Sequence, residues 1–124
     1  MVDIKTNSPA FSGGKVQIAD EVIASIAGTA AMEIDGVSFG SMTGYLNKNF
    51  SKIDSKKNFA KIIKVEYHDE QLEITANIFI KHGYKILETS KKVQENIKSE
   101  VETMTGIDVI IINVNVVGTT NDRD

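Results

Sequence analysis

The side chains able to do chemistry are few and scattered. His68 and His82 are the only histidines. Zinc binding or general-base work needs a second ligand or an orienting carboxylate at suitable spacing. Neither histidine belongs to a His-x-x-x-His or His-Glu-x-x-His pattern. Asp69-Glu70 does follow His68, but that run is explained by turn chemistry, and both histidines read as solvated turn residues. The absence of cysteine excludes disulfides and thiolate metal sites. Gly36, Gly40 and Gly44 recur at a spacing of four, yet no Gly-Lys-Ser/Thr follows, so they form no phosphate-binding loop. Serines such as Ser12, Ser25 and Ser38 lack a nucleophile elbow. The sequence therefore predicts no catalytic residue, no cofactor and no metal, and a protein that is not an enzyme.

Charge supplies the one asymmetry. Lys48, Lys52, Lys56, Lys57, Lys61 and Lys64 place six of the fourteen basic residues in a stretch with one acid, Asp54. Such a stretch can meet phosphates or an anionic membrane surface, at about 1 kcal/mol per well-placed lysine. Its plainer reading is a solvated basic loop. A net charge of −3 argues against a dedicated nucleic-acid binder. An αββαβ order with a basic segment still invites comparison with KH-type RNA modules. Those clamp the backbone with a Gly-x-x-Gly loop, and no two glycines here are three apart. A KH-like module using residues 48–64 is the alternative reading.

The elements that would carry these residues are legible from periodicity. Residues 1–14 read as a flexible arm, 15–118 as a single α+β domain and 119–124 as a polar tail. Lys15 to Ile18 suits a short strand. Asp20 suits a helix N-cap, and Val22, Ile23, Ile26, Ala27 and Ala30 share one face of a helix reaching about Met32. Gly28 inside it marks either a tight crossing or a frayed turn. Gly36 ends that unit. Residues 38–60 are irregular, with a short helix around Tyr45 to Ser51. Lys61 to His68 and Leu72 to Ile80 alternate as strands, and His68-Asp69-Glu70-Gln71 joins them as a hairpin.

Periodicity then turns helical, with Ile86, Leu87, Val93, Ile97, Val101 and Met104 on one stripe and Gly106 as the stop. Val109 to Val117 is too β-branched for anything but a strand. On this strand Ile110, Ile112, Val114 and Val116 form one face. Val109, Ile111, Asn113, Asn115 and Val117 form the other, and that face is either a partner surface or covered by the middle stretch. The expected architecture is two helices on one face of a three- to four-stranded mixed sheet, in (β)αββαβ order. No apolar run approaches the roughly 18 residues of a membrane span, and no apolar signal core opens the chain, which predicts that it is not exported.

Several segments together carry a resemblance. They are Gly14-Lys15-Val16-Gln17-Ile18-Ala19-Asp20-Glu21-Val22-Ile23, Ala30-Ala31-Met32-Glu33-Ile34-Asp35-Gly36-Val37 and His82-Gly83-Tyr84-Lys85-Ile86. Val93 to Lys98 and the closing Val101 to Val109 with Ile112-Asn113-Val114-Asn115-Val116 complete the set. In order and spacing the chain resembles the alkaline shock protein family, small cytoplasmic proteins of Gram-positive bacteria linked to cell-envelope stress. The resemblance implies a non-enzymatic scaffold or protein-binding module in envelope stress response. It would act by self-association as a homo-oligomer, or by binding a membrane-anchored relative. It also implies a cytoplasmic location, peripheral to the inner face of the membrane through that partner. No catalytic or cofactor residue comes with the family. The lysine-rich middle departs most from its relatives.

Overall fold

The computed structural model describes Gly14, residues 16–38 and residues 62–120. The elements run α1 (Asp20–Met32), β1 (Val37–Ser38), β2 (Ile63–His68), β3 (Gln71–Lys81), α2 (Ile86–Thr105) and β4 (Val109–Thr120). Residues 1–13 of the N-terminal arm, the helix expected near Tyr45 and five of the six lysines fall outside the described residues. The domain boundary expected at 118 lies two residues short, because β4 continues through Thr119 and Thr120.

β3 is the centre of the sheet. β4 runs parallel to it from Leu72↔Val109 to Lys81↔Thr120 and occupies one whole edge. β2 pairs antiparallel over Ile63↔Ala76 to His68↔Gln71, and β1 pairs antiparallel at Val37↔Ile80 and Ser38↔Phe79. Since β4 fills one edge, β2 and β1 must lie end to end along the other. The parallel step from β3 to β4 needs a crossover, and α2 supplies it.

The layers follow from alternation. Leu72, Ile74, Ala76, Ile78 and Ile80 of β3 are fully buried under the helices, with Ile63 and Val65 of β2 beside them. From α2, Val93, Ile97 and Val101 close the core at four-residue spacing, and α1 contributes Ile23, Ala27, Ala30 and Ala31. Gly28 is buried among these alanines, which favours the tight-crossing reading over fraying. The helices approach closely enough for Asn96 Nδ2 of α2 to donate to Ala30 O at 2.7 Å and to Glu33 Oε1 at 3.0 Å. That bond satisfies a carbonyl near the end of α1 that would otherwise lack an intrahelical donor.

Several local expectations need correction. Residues 16–18 form no strand; Ile18 instead exchanges two bonds with the Tyr67 hydroxyl, its N–H donating at 3.2 Å and its carbonyl accepting at 2.9 Å. The N-cap of α1 is Ala19, and Asp20 is already helical, where with Glu21 it complements the helix dipole. The α2 stripe is shorter than predicted. Ile86, Leu87 and Met104 are exposed because the buried stripe runs through Thr89, Val93, Ile97 and Val101 and leaves them beside it. Gly106 does end α2 in a left-handed conformation (φ 78°).

Candidate interaction surface on the last strand

Two irregularities in the β3–β4 register decide which side chains β4 shows to solvent. The first falls between Leu72↔Val109 and Glu73↔Ile111, the second between Ile78↔Val116 and Phe79↔Gly118. Each inserts one residue, Ile110 and Val117 respectively, and so reverses the in–out alternation. Val109 was expected on the outer face with Ile111, Asn113, Asn115 and Val117. It is instead 3% exposed and lies in the core, because the insertion of Ile110 separates it from the others. Ile110 correspondingly leaves the inner face, which keeps Ile112, Val114 and Val116.

The outer face of the sheet is organised around asparagines. Asn113 Nδ2 donates to Glu73 Oε2 at 3.0 Å and to Thr75 Oγ1 at 3.2 Å, and Asn115 Nδ2 donates to Asn77 Oδ1 at 3.0 Å. Glu73 Oε1 lies 2.7 Å from His68 Nε2. The His68 bond, then the Asn113 bond, hold the Glu73 carboxyl below the usual range. Toward the C-terminal end, Phe79 lies over Gly118, where a Cβ would come within 2.9 Å of its ring. Ile111 and Val117 remain 41% and 49% exposed beside the asparagines.

Of the lysine segment, only Lys64 is described. It is exposed on this same face and pairs with Glu66 at 3.6 Å. The hairpin register also sets Glu66 opposite Glu73 with His68 two residues along. One ligand atom from each lies within 4.8 Å of the others, the one such group among the described residues. His68 was read as a turn residue. It is the last residue of β2, and the two-residue turn fixes its placement beside Glu73. His82 donates its backbone N–H to Thr120 O and holds the far end of β4.

The edge of β4 facing away from β3 is the other distinctive feature. Lys98 Nζ donates to Val109 O at 3.2 Å and Gln94 Nε2 to Ile112 O at 3.0 Å, so α2 covers the first third of that edge. Lys98 is itself fixed by Glu102 at 2.6 Å, and the Lys98 bond, then the Val109 N–H, lower the Glu102 carboxyl. An open cleft of ≈ 770 Å³ lies at this same end of the sheet, between the β2–β3 turn and the entry to β4. Tyr67, Asp69, Glu70 and Asp108 line it. Its described lining contains no histidine, serine or threonine.

These features define an α+β domain with a polar, hydrogen-bonded outer sheet face and a long uncharged last strand. Over residues 10–120 the chain matches the alkaline shock protein family, which is described as having a cell envelope-related function, and it belongs to that family. Three curated relatives come from Gram-positive bacteria and are described only as uncharacterized proteins. Spy1614 of Streptococcus pyogenes serotype M6 is 32% identical, over 82% of this chain and 84% of its own. YqhY of Bacillus subtilis is 37% identical, over 85% of this chain and 76% of its own. YloU of Bacillus subtilis is 31% identical, over 85% and 88%. No solved structure matches the chain. No helix among the described residues is long and apolar enough to cross a membrane.

Proposed function

We infer that this member of a cell envelope-related family is a non-enzymatic protein-binding module, acting as a scaffold through its last strand. The observation that carries this reading is the concentration of exposed apolar surface on β4 and the adjoining start of α2. Ile110, Ile111 and Val117 are exposed on the strand, and Ile86 and Leu87 on the helix. Not one charged residue occurs from Val109 to Thr120. Surface of this kind is costly to leave in water and marks contact sites. In this reading the partner is a protein: another copy of the chain, or a membrane-anchored relative that would bring the module to the inner face of the envelope. The KH-like alternative finds no specific support, since Lys64 is engaged by Glu66 and the remaining lysines are not described.

A tagged chain, expressed in a Gram-positive host and recovered after nuclease treatment from soluble and detergent-extracted fractions, tests the reading against a β4 variant such as Ile111→Asp. The expected result is stoichiometric protein capture that survives nuclease and is lost in the variant. Capture that disappears with nuclease, and persists in the variant, would replace this reading with nucleic-acid binding.

A further inference from the structure

The direction of each backbone group on β4 follows from four hydrogen bonds. Asp108 O accepts from Leu72 N, so residue 108 points inward to β3. Val109 O and Ile112 O accept from Lys98 and Gln94, so residues 109 and 112 point outward. Thr120 O accepts from His82 N, so residue 120 points inward. Both groups of a strand residue face the same side and alternate along the strand, apart from one reversal at each inserted residue. All four bonds agree with the two irregularities, at Ile110 and Val117. The N–H and C=O of Val114 and Val116 therefore face outward, and no partner for them exists among the described residues.

This opening is bounded and framed. Gln94 and Lys98 close it on one side. Ile86, Ser90, Gln94 and Lys98 recur every four residues and share one face of α2. Since Gln94 and Lys98 reach the β4 edge, Ile86 and Ser90 face that edge further along. Ile86 is 44% exposed there, and Ser90 Oγ is buried without a partner. The described chain breaks off at Ser38 and resumes at Ile62, and both lie along the opposite edge of β3. A row of alternating donors and acceptors beside exposed aliphatic side chains fits one kind of occupant, an extended strand.

Resting on the protein-binding reading above, we propose that the occupant is β4 of a second copy, antiparallel, with Asn115 on the two-fold axis. Val114 of one copy then lies opposite Val116 of the other, and each such pair exchanges both of its N–H···O bonds. Outward-facing residues meet outward-facing residues in this register, and the inserted residues fall outside the paired window. The inner side chains of each added strand extend the core beneath Ile86. An uncharged strand meets its own copy with no like-charge repulsion, whereas a two-fold contact would oppose any charge placed at 115 with itself.

The test is the molar mass of the purified full chain across a concentration series, by light scattering after size exclusion. Three forms are compared: wild type, Val114→Pro and Asn115→Lys. Proline at 114 removes only an outward N–H and leaves the bonds to β3 in place. Lysine at 115 sets like charges across the axis while altering the outer face alone. Wild type is expected as a dimer, and each folded variant weakens the dimer by at least about tenfold. A wild-type monomer at every concentration overturns the inference while leaving capture of a different protein as the test of the broader reading. A dimer that both Asn115→Lys and a folded Val114→Pro leave intact overturns it as well. If the proline variant fails to fold, the lysine variant decides alone.

Discussion

Replacing Gly36 with Ala probes how α1, β1 and the start of α2 are locked together. Gly36 has φ 97°, and its carbonyl accepts from Lys81 N at 2.8 Å, just before β1 joins the sheet. A Cβ there would lie 2.6 Å from the Tyr84 ring. Two costs therefore combine. The positive φ costs about 1–2 kcal/mol for an L-residue, and overpacking adds about 1–3 kcal/mol unless the ring moves. Gly83 provides an internal control, with the same φ of 97° and nothing within 4 Å of its Cβ position. Gly83→Ala should incur the first cost only. Urea unfolding should accordingly rank Gly36→Ala below Gly83→Ala by about 1–3 kcal/mol, as a lower midpoint at unchanged slope. Tyr84 is exposed enough to be trimmed safely, so Tyr84→Ala in the Gly36→Ala background should recover most of that difference. Equal losses at Gly36 and Gly83, or no rescue by Tyr84→Ala, would refute the claim that the ring seats on this glycine.

Three further outcomes follow from the same contacts. Ile97→Ala removes a fully buried side chain midway along α2 and should cost about 2–5 kcal/mol in urea unfolding. Glu73 has a lowered folded pKa, so its stabilisation is complete above the unfolded carboxylate value and disappears as pH falls through the lower folded one. Glu73→Gln should therefore flatten the acid limb of a stability-versus-pH curve, with little pH-dependent difference above about pH 5. Gln94→Ala with Lys98→Ala uncovers the carbonyls of Ile112 and Val109. Light scattering should show self-association little changed in that double variant, because in the proposed register Ile112 meets Gly118 of the second copy, whose backbone groups face its own β3.

Most of the fold could be read from period alone, because β3 alternates cleanly and α2 keeps a four-residue stripe. The failures are local and have physical causes. The two inserted residues in β4 have no signature in a run of Val, Ile and Asn, so alternation placed Val109 outside and Ile110 inside. Ile86, Leu87 and Met104 fit a helical stripe, but periodicity cannot say which of two neighbouring stripes the sheet covers, and the covered one starts at Thr89. The two-residue strand β1 is too short for any pattern. The Glu66–His68–Glu73 grouping, by contrast, was within reach. A hairpin turning at Asp69-Glu70 pairs His68 with Gln71 and Glu66 with Glu73, so the register already placed the three on one face. What pointed to the last strand as a surface was the apolar patch expected from Val109, Ile111 and Val117, of which Ile111 and Val117 are exposed; which backbone groups it leaves open required the hydrogen bonds of Lys98, Gln94 and His82.

The central claim is that the outward amides of Val114 and Val116 bind another strand, and residue-resolved hydrogen exchange across a concentration series measures it directly. Asn113 and Asn115 face β3 and should be protected at every concentration. Val114 and Val116 should exchange fast in dilute solution and gain protection as concentration rises. Fast exchange at Val114 and Val116 that stays constant, or protection already complete in the monomer, would contradict the account.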